Sequence, residues 1–240
     1  MAPARVIQGQ LTRLSRTTHG IAYDATHDEI IAPNPLAAAV VIFRGGAAGE
    51  EPPARTIQGA GTGLSRPETV AVDEKNNEII VGDPGDRRVL VYRRDADGNA
   101  APTRTIQGPK TLLLQVVGVA VDPGRDLLVV STYSRLPGGV TGVLIFGRTD
   151  QGDVAPRRVI AGPRTGITRL RQIALDPETG KIYVANFGDH TALVFPRLAA
   201  GNVRPRRIIR NAPAGKETSG FGNPYSVAYD TKRQEILVPN

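Results

Sequence analysis

TVAVDEKNNEIIVGDPGDRRVLVYRRDADGNAAPTRTIQG fills residues 69–108. Four short runs stand out in it: TVAVD, EIIVGD, VLVYR and RTIQG. Each is rich in β-branched or aliphatic residues and bounded by Gly, Pro, Asn or Asp, the pattern of strands joined by hairpin-length turns. All four runs recur along the chain. The first is matched by GIAYD (20–24), GVAVD (118–122), QIALD (172–176) and SVAYD (226–230). The second is matched by EIIAPN (29–34), DLLVVS (126–131), KIYVAN (181–186) and EILVPN (235–240). The third is matched by VVIFR (40–44), VLIFGR (143–148) and ALVFPR (192–197). The fourth recurs identically at 55–59 and nearly so at 5–9 (RVIQG), 158–162 (RVIAG) and 207–211 (RIIRN).

Measured from the arginine of that last phrase, the copies are spaced by 50, 49, 54 and 49 residues. A period of this length, carried by several landmarks, signals a repeat architecture. Four antiparallel strands per unit describe one blade of a β-propeller. The expected fold is therefore all-β: a five-bladed propeller of four-stranded antiparallel blades, one domain over residues 1–240. A solenoid is the competing repeat fold, but it does not require four antiparallel strands in each unit. Ala22, Ala71, Ala120, Ala174 and Ala228 suit a crowded innermost strand. The Asp two residues on closes that strand by bonding the next turn. The RTIQG phrase becomes the outermost strand, followed by the crossing to the next blade.

The units resemble the NHL-repeat propellers. RPETVAVDEKNNEIIVGDPGDRRVLVYRR (66–94) carries the likeness best, and KIYVANFGDHTALVFPR (181–197) shares it. The resemblance covers the whole chain at repeat level. It implies the fold and leaves the activity open, because such propellers include binding scaffolds, lyases and lactonase-like hydrolases. Blade three departs from the pattern, with a longer STYSRLPGGVTG stretch at 131–142.

Because the chain opens on the outermost phrase, the N-terminal copy is expected to close the ring in the last blade. That blade then holds a first strand (225–230), a second (235–240) and the donated outermost one, but no third strand. Unpaired strand edges recruit other chains, so the expected partner there is another protein or a second copy.

Lys and Arg number 30 against 23 Asp and Glu, a formal charge of +7. The five blade-crossing segments hold eight basic and two acidic residues, which makes the face they share, here called the top, basic. Such a face attracts an anionic ligand. Few interleaved aromatics, with Phe221 and Tyr225 the clustered pair, weigh against nucleic acid. No cysteine is present, which excludes disulfides and thiolate chemistry. No apolar run approaches the roughly 18 residues of a membrane span. Met1-Ala2-Pro3 leads directly into a repeat unit. That start is read as a trimmed mature region and leans toward a periplasmic or extracellular location, although a cytoplasmic chain would begin the same way.

At the position entering each innermost strand the residue changes from blade to blade: His19, Glu68, Val117, Arg171 and Tyr225. Variation at equivalent places around the channel mouth is how a propeller builds an asymmetric site, and ordinary surface variation is the plainer reading. His190 is a further candidate for the same mouth. The second strands end in Asn34, Asp83, Ser131, Asn186 and Asn240. These could hold a divalent metal through oxygen ligands, or simply cap turns; with Asp83 the only acidic member, the charge for a metal is thin. DADGN (95–99) is read as a turn needing positive φ rather than a calcium loop, because its equivalents keep the Gly and lose the carboxylates.

The expectation is a non-catalytic binding or assembly scaffold with a basic top face. Its ligand candidates are His19, Glu68, Arg171, Tyr225, Asp83, Asn186 and His190. No catalytic residue, metal site or cofactor is assigned. One alternative is a metal-assisted lactonase-like hydrolase or lyase, which needs His19, Glu68, Asp83 and His190 to converge. The other is a lectin-like carbohydrate-binding propeller, which needs equivalent pockets on every blade.

Overall fold

The computed structural model describes residues 3–210, 213 and 224–238. The fold is a five-bladed β-propeller. Four blades are four-stranded antiparallel sheets in chain order. The first comprises β1 (Ala22–Asp24), β2 (Glu29–Asn34), β3 (Ala39–Arg44) and β4 (Arg55–Gln58). The second comprises β5 (Thr69–Asp73), β6 (Glu78–Asp83), β7 (Arg88–Arg93) and β8 (Arg104–Gln107). The third holds β9 (Gln115–Asp122), β10 (Leu127–Tyr133), β11 (Gly142–Gly147) and β12 (Arg158–Ala161). The fourth holds β13 (Leu170–Leu175), β14 (Ile182–Asn186), β15 (Thr191–Phe195) and β16 (Arg207–Ile209). In the fifth, β17 (Ala228–Asp230) pairs with β18 (Glu235–Leu237), a two-stranded sheet among the described residues.

The core is a set of layers between blades rather than one central mass. Ile57, Val70, Ile79 and Leu90 fill the seam between blades one and two. Leu128, Leu144 and Phe146 meet Ile80, Val89 and Val91 in the next. Val129 and Ile145 face Val184, Leu193 and Phe195 in the third. Strands buried on both faces read as continuous apolar runs, not as alternation, which explains VVIF, VLVY, VLIF and ALVF. Each of those runs closes on an aromatic, and Phe43, Tyr92, Phe146 and Phe195 are among the largest fully buried side chains.

Three repeated devices explain the rest of the phrase. The strand-closing Asp does bond the following turn: Asp24, Asp73, Asp122, Asp176 and Asp230 accept from backbone amides two or three residues ahead. After the outermost strand, a Gly-x-x-Thr turn buries Thr12, Thr62, Thr111 and Thr165 completely. Each of these hydroxyls donates to the glycine carbonyl and accepts from the amide two residues on.

The third device is a latch between blades. The isoleucine of the phrase bridges a glycine in the next blade's third-to-fourth loop, as in Ile57–Gly98, Ile106–Gly152 and Ile160–Gly201. Those glycines have φ near +60° to +72°, the turn conformation expected from DADGN and its equivalents. The side chain after each glycine then reaches the preceding crossing turn. Asn99 accepts from Gly61 N at 2.6 Å, while Asp153 and Asn202 accept from Lys110 N and Arg164 N, both at 2.7 Å. Gly59 must be glycine here, since a Cβ would stand 2.4 Å from Asn99 Oδ1. The N-terminal copy takes the matching place: Ile7 bridges Gly49, and Glu50 accepts from Leu11 N.

On the opposite, bottom side the arginine of the phrase finds its partner. Arg55 pairs with Glu29, and Arg104 forms two hydrogen bonds to Glu78, which Arg148 also contacts. Burial pushes the Glu78 carboxyl up, but Arg104 and then Arg148 outweigh it and hold the group below its ordinary value. A carboxyl depressed on folding contributes stability that is present above its unfolded pKa, about 4.3, and is lost as pH falls through the folded value. Thermal melts between roughly pH 5 and 3 should therefore show Glu78→Gln losing less stability on acidification than the wild type.

Candidate functional site

The crossing segments deliver one residue from each blade to the top of the channel, and the structure brings all five together. His19, Glu68, Val117, Arg171 and Tyr225 line one small cavity with Gln172. Its volume is about 10 Å³, room for about one water-sized body. Side chains bridge the channel directly beneath. Thr69 of blade two donates to Gln172 Oε1 of blade four at 3.2 Å, and Val119 N of blade three donates to the same threonine oxygen. Blade one reaches this plug through Gly20, whose missing side chain matters: a Cβ would lie 3.0 Å from Thr69 Cα.

Around the mouth, arginines and rings alternate. The Arg171 guanidinium lies 4.5 Å from the Tyr225 ring centre and 5.3 Å from that of Phe187. Arg169 lies 4.9 Å from Phe187 and 5.8 Å from Tyr133. Phe187 meets Tyr225 edge to face at 5.0 Å, and His19 completes the row 5.9 Å from Tyr225. Arg171 also donates to the Tyr225 hydroxyl at 3.0 Å. A guanidinium placed over a ring face is held there by cation–π attraction.

The carboxylate at the mouth is committed elsewhere. Glu68 sits 3.2 Å from Arg66 and 3.9 Å from His19. Arg169 and Arg171 have no carboxylate within 4 Å among the described residues. The Nε atom of each is buried without a hydrogen-bond partner there. Burial pulls the Arg171 guanidinium below its ordinary value; Tyr225 and Glu68 oppose this, and Arg169 and Arg135 add to it. An arginine remains charged under such shifts.

Four of the candidates named from sequence thus meet: His19, Glu68, Arg171 and Tyr225. The other three lie outside the cavity lining. Asp83 is fully buried and accepts from the amides of Ser65, Arg66 and Gly85, with Arg88 beside it. Asn186 accepts from Thr168 N and donates to Gly166 O and Thr191. Asn34 holds the corresponding turn in blade one through Arg13 O and Ala37 N. His190 is exposed at the end of the 3-10 turn Phe187–Asp189. Among the described residues, no three His, Asp or Glu side chains form a metal-sized cluster.

Sequence reasoning missed Arg169, Phe187 and Tyr133. Phe187 follows Asn186 in the second-to-third loop of blade four. Tyr133 ends β10, which runs two residues past the DLLVVS phrase because part of the blade-three insertion lengthens the strand instead of the loop. A register shift between Ser131 and Thr132 accommodates the extra length. Phe221, the ring expected beside Tyr225, lies outside the described residues. The remaining insertion, 134–141, borders a groove of about 510 Å³ lined by Leu113, Leu114 and Val140.

No protein-family model matches the chain, and no curated protein matches its sequence. Solved structures do. A chain in the crystal structure of a nidogen/laminin complex superposes with a TM-score of 0.65 at 16% identity, over 93% of this chain and 72% of that one. A chain of the mitotic checkpoint complex gives 0.60 at 11% identity, over 91% of this chain and 57% of that one. At these identities the likeness is one of fold, and it supports the β-propeller architecture.

Proposed function

We propose that the protein is a non-catalytic binding scaffold of the NHL-repeat kind, working through the basic top face around the channel mouth. The observation that carries this reading is the pair of arginines, Arg169 and Arg171, held among three rings above a side-chain bridge between blades two and four. A small-molecule enzyme usually encloses its substrate in a pocket of about 300–1,000 Å³. The mouth offers about 10 Å³. Arginine and aromatic side chains without depth are instead the composition of protein-interface anchors. That both structural neighbours come from protein complexes supports a binding role.

The test compares the wild type with an Arg169→Ala, Arg171→Ala double variant in crosslinking to neighbouring proteins in the source cell. The control alters Arg207, which lies away from the mouth, to Ala. Loss of crosslinked partners in the double variant alone supports the scaffold. Lactone hydrolysis by the wild type, dependent on added calcium and abolished by Glu68→Gln, would replace it with the enzyme reading.

A further inference from the structure

The ligand of this face has a chemistry that the mouth itself specifies. Arg169 and Arg171 come from one strand entry, two residues apart, and both lie over Phe187, with Tyr133 beside Arg169 and Tyr225 beside Arg171. The Nε of each has no hydrogen-bond partner among the described residues, so each guanidinium keeps N–H donors along its edge for a planar acceptor. A carboxylate matches that edge with two parallel hydrogen bonds. The same cation–π contacts argue against bases. Phe187 has a guanidinium against it from each of two arginines and Tyr225 has one from Arg171, so these rings are not free platforms for nucleobases.

Shape narrows the source. The cavity between the described mouth residues holds about one water, so a larger carboxylate ligand lies across the mouth. Charge points the same way: Arg135 adds to the positive field at Arg171, and Glu68, the carboxylate among the described residues there, already lies 3.2 Å from Arg66 and 3.9 Å from His19. Resting on the reading of the top face as the working surface, we propose that Arg169 and Arg171 form a carboxylate-binding pair that docks an acidic peptide segment of a protein partner across the channel mouth.

The probe is a short fluorescein-labelled peptide of alternating Glu and Gly, titrated with the full chain at low salt and followed by fluorescence anisotropy. Arg171→Ala and Arg169→Ala should each weaken binding roughly tenfold, the effect of losing a hot-spot arginine. Arg171→Lys keeps the charge but loses the planar fork, and should not restore binding. Unchanged melting temperatures show that the variants fold. Full rescue by lysine would overturn the planar-carboxylate geometry, as would an equal loss on Arg207→Ala. Tighter binding of a single-stranded oligonucleotide of equal charge would overturn the choice of an acidic peptide. The two readings fail separately. No peptide binding while cellular crosslinks still require the arginines removes the carboxylate inference and leaves the scaffold. Crosslinks that ignore both arginines remove the scaffold's working face.

Discussion

Phe146→Ala is expected to destabilise the protein by about 3–5 kcal/mol, the usual cost of emptying an aromatic site in a close-packed core. Phe146 lies in β11 opposite Leu128 and is fully buried in the seam with blade two, against Ile80, Val89 and Val91. Both sides of that seam are sheets held by their own ladders, so neither can sag into the cavity. Phe146→Leu should cost much less, because most of the volume remains. A chain of this length loses roughly 2–4 °C per kcal/mol, so the alanine variant should melt roughly 6–20 °C below the wild type. A drop of only a degree or two would mean that the interblade layers repack freely, contrary to the packing described.

Thr111→Val carries the second largest effect and asks a different question. The replacement has nearly the same shape, so it isolates the hydroxyl. Thr111 Oγ1 donates to Gly108 O at 2.6 Å and accepts from Leu113 N at 3.2 Å. Gly108 O keeps its bond from Thr111 N, whereas the Leu113 amide is left without its partner. A buried orphan donor costs about 1–3 kcal/mol. Thr111→Ser retains the hydroxyl and removes one methyl, about 0.8 kcal/mol. Urea unfolding of the two variants should therefore rank serine above valine. The reverse order would make the methyl, not the hydrogen bonds, the reason that all four crossing turns carry threonine.

The fold was legible in the sequence because its signals are local and repeated. A strand such as VLVYR announces itself within five letters, and the Asp that ends TVAVD bonds an amide only three residues away. The crossing threonine was equally visible in QGQLT, QGAGT, QGPKT and AGPRT. So was the polar residue after each loop glycine, once the partner turn was known. The site was half legible. His19, Glu68, Arg171 and Tyr225 could be aligned by repeat position, and topology then carried them to one mouth. Tyr133 and Phe187 could not, because one arises from the blade-three insertion and the other from a loop with no ring in the equivalent blades. Their meeting with Arg169 depends on side-chain direction in three dimensions, which no spacing encodes.

The latch has a consequence for how such a ring can change in size. Units one to three each carry both halves of the joint: an outermost strand with its Gly-x-x-Thr turn to be held, and a Gly-Glu, Gly-Asn or Gly-Asp loop that holds the turn before it. At each junction of these units the amide two residues after the turn glycine meets a side-chain oxygen. A duplication or deletion of one whole period among them therefore joins a compatible donor to a compatible acceptor. Such a chain is built for recombination in whole modules, and its individuality resides in the few mouth residues that each module brings with it.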